Sequence, residues 1–86
     1  MKTSFENKMY AMLNNGKNFV EVDHMDSYTI ISARLNDTEA YVAISDTLVE
    51  LYYTTSKLLD FEEVLTTKLE LADPVILSTR LLNILG

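Results

Sequence analysis

Residues 28–45 keep a strict period of two, and no other feature of this chain constrains its fold as tightly. In 28–35, Thr29, Ile31, Ala33 and Leu35 alternate with Tyr28, Ile30, Ser32 and Arg34. In 39–45, Ala40, Val42 and Ile44 alternate with Glu39, Tyr41 and Ala43. That period belongs to a strand with one buried face. The intervening Asn36-Asp37-Thr38 are residues that bond their own backbone in turns. Upstream, Val20 and Val22 alternate with Phe19, Glu21 and Asp23, and His24-Met25-Asp26-Ser27 reads as a second turn. Three strands joined by short turns form an antiparallel meander.

Helix signals flank this stretch. Thr3-Ser4-Phe5-Glu6 has the form of a capping box, followed by an apolar stripe of Phe5, Met9, Met12 and Leu13 and by the stop Asn14-Asn15-Gly16. A helix is expected over 4–15. Thr47 and Glu50 stand at the same capping spacing, and Leu48, Leu51, Tyr52, Thr55 and Leu59 share one helical face. Phe61, Val64, Leu65, Leu69 and Ala72 form a second stripe roughly 120° away, so a break is expected near 59–61, with Asp60 and Glu63 opening a new helix. Asp73-Pro74 is a third start signal. The segment that follows, 75–85, is polar only at Ser78, Thr79, Arg80 and Asn83, too apolar for a helix with one buried face. It is expected to be sandwiched in the core or to meet another chain. The fold predicted is α+β in a single compact domain spanning 1–86. It comprises an N-terminal helix, a three-stranded antiparallel meander, then two or three C-terminal helices packed on one sheet face.

Charge narrows the function. Thirteen acidic residues against seven basic ones give a net charge of −6, the wrong sign for binding nucleic acid directly. Residues 18–50 alone hold Glu21, Asp23, Asp26, Asp37, Glu39, Asp46 and Glu50 against Arg34. The absence of cysteine excludes disulfides, thiolate metal sites and a cysteine nucleophile. The single histidine, in Asp23-His24-Met25-Asp26, lacks the companions a zinc site needs. Neither Gly16 nor Gly86 opens a phosphate-binding loop. No enzyme, cofactor or metal is expected. Without a signal-peptide core or a run long enough to span a membrane, the expected location is the cytoplasm.

If the aliphatic halves of the three strands face the helices, the opposite face carries Phe19, Glu21, Asp23, Tyr28, Ile30, Ser32, Arg34, Glu39 and Tyr41. Same-face carboxylates along a strand lie about 6.8 Å apart, close to two steps of about 3.4 Å along a DNA strand. Such a surface fits the nucleic-acid groove of a basic protein partner. The candidate partner-binding residues are Glu21, Asp23, Asp26, Asp37 and Glu39, with Tyr28 and Tyr41 adding aromatic contact area.

The segment Tyr28-Thr-Ile-Ile-Ser-Ala-Arg-Leu-Asn-Asp-Thr-Glu-Ala-Tyr-Val-Ala-Ile-Ser45 is similar to the central hairpin of one group of small acidic phage-encoded anti-CRISPR inhibitors. The order of helix, meander and helices in a short acidic chain resembles them too. The resemblance implies an inhibitor that docks on an RNA-guided nuclease where target DNA would sit, in the host cytoplasm if phage-encoded. The alternative is an oligomerising adaptor or antitoxin-like subunit whose interface is the apolar segment 75–86.

Overall fold

Five consecutive segments are strands, the first four with an unbroken period of two. In the computed structural model, which describes residues 1–57 and 60–86, they are β1 (Phe19–His24), β2 (Tyr28–Leu35), β3 (Thr38–Ser45), β4 (Leu48–Thr54) and β5 (Glu62–Lys68). They pair in chain order into one antiparallel sheet, β1-β2-β3-β4-β5. The register Val22↔Ile31↔Val42↔Leu51↔Leu65 carries one aliphatic row across all five strands. Thr29, Ile31, Ala33, Ala40, Val42, Ile44, Val49 and Leu51 are buried on this inner face.

Two helices cover it. α1 (Lys2–Leu13) buries Phe5, Met9 and Leu13, and α2 (Pro74–Leu85) buries Leu77, Ser78, Leu81 and Leu85. Each large apolar side chain removed from water here contributes roughly 1.5–3 kcal/mol. The helices touch each other where the buried Ser78 Oγ lies 3.0 Å from Met9 Sδ. Burial leaves that hydroxyl no water, and the soft thioether is the acceptor it finds.

α1 starts at Lys2 with no side-chain cap. Ser4 Oγ instead donates back to the Met1 carbonyl at 3.1 Å, so the Thr3/Glu6 box is unused. After the helix, Gly16 takes φ +86°, a conformation glycine adopts without steric cost. Between β2 and β3, Asn36 takes φ +56°, which asparagine tolerates better than most residues.

The second half of the chain corrects the expected fold: among the described residues there are five strands, not three, and one C-terminal helix, not two or three. Ser45 is the first reason. Its Oγ accepts from Leu48 N at 2.9 Å and Thr47 N at 3.3 Å, which ties off a hairpin turn, not a helix start. A hydroxyl that satisfies backbone N–H groups serves either structure. Composition is the second. Residues 48–54 are rich in valine, tyrosine and threonine, which favour a half-buried pleat. Val49 and Leu51 then point inward while Glu50 and Tyr52 point outward. A bulge opposite Leu51/Tyr52 inserts one extra residue in β5, leaving Val64 and Leu65 both packed against the core. Leu59, part of the expected helical stripe, lies outside the described residues.

A 3-10 turn (Leu69–Leu71) leads into α2. Asp73 caps that helix as its sequence indicates, accepting from Val75 N at 2.9 Å and Ile76 N at 3.4 Å, with Pro74 at the first position. Among the described residues, no helix is long and apolar enough to cross a membrane.

Candidate functional site: the outer sheet face

With both helices on one side, no helix among the described residues covers the other side of the sheet. Register places its side chains in rows across the strands. One row runs Phe19, Arg34, Glu39, Thr54; the next Glu21, Ser32, Tyr41, Tyr52, Glu63; the third Asp23, Ile30, Ala43, Glu50, Thr66. Five carboxylates therefore share this face with the cations of Arg34 and Lys68. The described residues form one ion pair, Lys2 Nζ to Asp46 Oδ1 at 3.6 Å, and it involves none of the five. Arg34 is turned toward an aromatic partner, its guanidinium carbon 5.2 Å from the centre of the Phe19 ring.

An aromatic cluster sits among the acids. The Tyr41 and Tyr52 rings stack, centroids 4.9 Å apart and planes 18° from parallel, and Phe61 meets Tyr41 edge-on at 5.0 Å. Both geometries suit the quadrupoles of aromatic rings. Tyr52 donates its hydroxyl to Glu50 Oε2 at 2.7 Å. That bond, assisted by partial burial and the charges of Glu50 and Glu63, pushes the Tyr52 phenol up to about 12. Burial first, then the nearby charges of Glu50 and Asp60, raises the Tyr41 phenol as well. Beside the cluster lies a shallow depression of about 230 Å³ lined by Ser27, Tyr28, Ala43, Ser45 and Glu50. Its three small residues, Ser27, Ala43 and Ser45, leave room above the sheet, and Glu50 supplies a carboxylate to its wall.

Of the residues singled out in the sequence, Glu21 and Asp23 of β1, Tyr28 of β2, and Glu39 and Tyr41 of β3 come together on this face. Asp26 is exposed in the β1–β2 turn, at the end of the face instead of on it. Asp37 is exposed in the β2–β3 turn and is locally occupied. Its Oδ2 accepts from Ser56 Oγ at 2.8 Å and its Oδ1 from Thr38 Oγ1 at 3.4 Å, and the Ser56 bond chiefly lowers its pKa. Sequence reasoning missed Glu50, Tyr52, Phe61 and Glu63 because it placed residues 47–71 in helices. The alternation of Glu50 and Tyr52 with Val49 and Leu51 was the signal that assigns them to this face.

No group of three or more histidine, cysteine, aspartate or glutamate side chains among the described residues is arranged to hold a metal ion. Comparison with protein-family models, with curated proteins and with solved structures finds no match to this chain.

Proposed function

We propose that this chain is a non-enzymatic inhibitor that occupies the nucleic-acid-binding surface of a basic protein partner in the cytoplasm. The resemblance noted for residues 28–45 suggests an RNA-guided nuclease as partner and a phage as source. One observation carries the reading: Glu21, Asp23, Glu39, Glu50 and Glu63 share an uncovered face without ion-pair partners among the described residues, around a stacked aromatic cluster. Carboxylates left free in this way attract lysine and arginine side chains over a Debye length of about 10 Å at 0.1 M salt. The rings supply the buried area that turns an electrostatic encounter into a stable contact. The depression beside Tyr28 and Glu50 has room for the stem of one basic side chain. Charge steers the association and occlusion of the groove inhibits.

The test is target-DNA binding by a guide-loaded RNA-guided nuclease, measured with increasing amounts of this protein. Inhibition is expected at low salt, with marked weakening at about 0.5 M salt and in the combined variant Glu21→Gln, Glu39→Gln, Glu50→Gln. Unaltered DNA binding, or inhibition untouched by the three substitutions, overturns the proposal.

A second reading rests on a different surface. Leu71, in the 3-10 turn before α2, and Val75 and Ile76, in its first turn, are 73%, 47% and 65% exposed. They suit an oligomerising adaptor or antitoxin-like subunit in which α2 meets another chain. Sedimentation at micromolar concentration separates the two, since the first requires a monomer and the second a dimer or larger.

A further inference from the structure

We propose that the free edge of β1 takes up an extended basic segment of a protein partner as a sixth strand. This docking mode concerns the sheet edge, not its outer face, and holds for any partner that presents such a segment.

β1 has a neighbour on one side only. Its six residues pair with β2 without a break in register, and five of them are exposed. The β1–β2 hairpin closes with Met25 N donating to the Tyr28 carbonyl at 2.8 Å. Hydrogen-bonded and non-bonded pairs alternate from there along an antiparallel ladder. Asp23, Glu21 and Phe19 thus spend their N–H and C=O groups on β2, while those of Val20, Val22 and His24 point to the open side. Among the described residues no other backbone group bonds to these three. Unpaired strand edges of this kind are templates for another strand. The opposite edge, β5, is interrupted by the bulge opposite Leu51/Tyr52, a device that discourages such pairing. β1 contains neither bulge nor proline.

Charge selects the occupant. Directly opposed residues share a face of the sheet, so two copies of β1 pairing antiparallel would match residues of the same parity. The registers that pair five β1 residues set Glu21 against Glu21, or Glu21 against Asp23 twice. Like charges directly opposed destabilise a strand pair, which disfavours a second copy of this chain. A segment with lysine or arginine on its outer side meets Glu21 and Asp23 instead.

The inner side points the same way. Between the flank of α1 and β1 lies a cleft of about 250 Å³ lined by Glu6, Asn7, Tyr10, Val22, His24 and Ile31. Glu6, one of its lining residues, has an Oε2 that is shielded from water and has no hydrogen-bond partner among the described residues. A carboxylate oxygen in that state is costly to leave unpaired. A basic side chain projecting inward from the added strand, beside Val22, supplies the missing donor.

The experiment uses two labelled ten-residue peptides on the full chain. One alternates lysine and arginine with valine and threonine and carries one further lysine in place of a central valine, so that a basic side chain also faces inward; the other has the same charge with prolines at every third position, so that it cannot form a ladder. The first is expected to bind and to slow hydrogen exchange at the amides of Val20, Val22 and His24. The proline peptide is expected to leave those amides unprotected. Val22→Pro removes an open-side N–H without touching the ladder to β2, and is expected to weaken binding at least about tenfold. Glu6→Gln should weaken it about three- to tenfold, because the amide oxygen still accepts a hydrogen bond while the charge that strengthens it is gone. If Val22→Pro does not fold, amide protection in the unaltered chain decides. Equal binding of both peptides, or unchanged exchange at the three amides, overturns the proposal. The combined substitution of Glu21, Glu39 and Glu50 that tests the outer face leaves Glu6 and the open-side amides in place. Nuclease inhibition that this variant retains in full, alongside retained amide protection, therefore counts against the outer-face reading alone.

Discussion

Tyr52 and Glu50 stand two residues apart on one strand, which puts them on the same face and in reach of a 2.7 Å hydrogen bond. The bond holds a proton on the phenol that free tyrosine would lose near pH 10. Because the folded value is raised to about 12, its stabilising contribution is whole below about pH 10 and is lost as pH climbs through 12. Glu50→Gln is expected to return the Tyr52 titration toward its ordinary range and to flatten the fall of stability with pH in that alkaline window. Ultraviolet difference titration against Tyr52→Phe isolates the one phenol among five. Asp37 runs in the opposite sense. Ser56 lowers its pKa from 3.8, so its contribution is present above that value and disappears as acid is added. Ser56→Ala is expected to raise the Asp37 titration midpoint, read by carboxyl NMR.

At the level of elements, legibility followed the kind of signal. The strands over Phe19–His24, Tyr28–Leu35 and Thr38–Ser45 show in the sequence because their alternation is uninterrupted and the turns between them are polar. α2 shows because Asp73-Pro74 has few meanings other than a helix start. β4 and β5 did not, because Leu48, Leu51, Tyr52 and Thr55 satisfy the helical spacing by coincidence and Ser45 bonds backbone N–H groups in a tight turn as readily as at a helix cap. The extra residue in β5 also breaks its alternation, so Val64 and Leu65 read as helical neighbours. Two of the five outer carboxylates, Glu50 and Glu63, and Tyr52 with them, were lost with those two strands. Asp73→Ala is expected to cost about 1 kcal/mol by uncapping α2. Met9→Ala, which empties the contact between the helices and strands Ser78 Oγ, is expected to cost about 2–5 kcal/mol. Chemical denaturation measures both.

For the molecule as a whole, the outer carboxylates repel one another without local compensation, and the exposed Lys2–Asp46 pair contributes little. Salt is therefore expected to stabilise the fold. The urea midpoint should rise between about 0.02 and about 0.2 M sodium chloride, where a surface held by ion pairs would show a fall. The packing of the first helix against the last has a further consequence. Ser78 stands 69 positions along the chain from Met9, and α2 is translated after all five strands. At about 5–20 residues per second, the nascent hairpins wait seconds with part of their greasy side bare, until translation delivers the second lid. Any lesion that slows the closing of that lid endangers the newborn polypeptide well before it troubles the finished one.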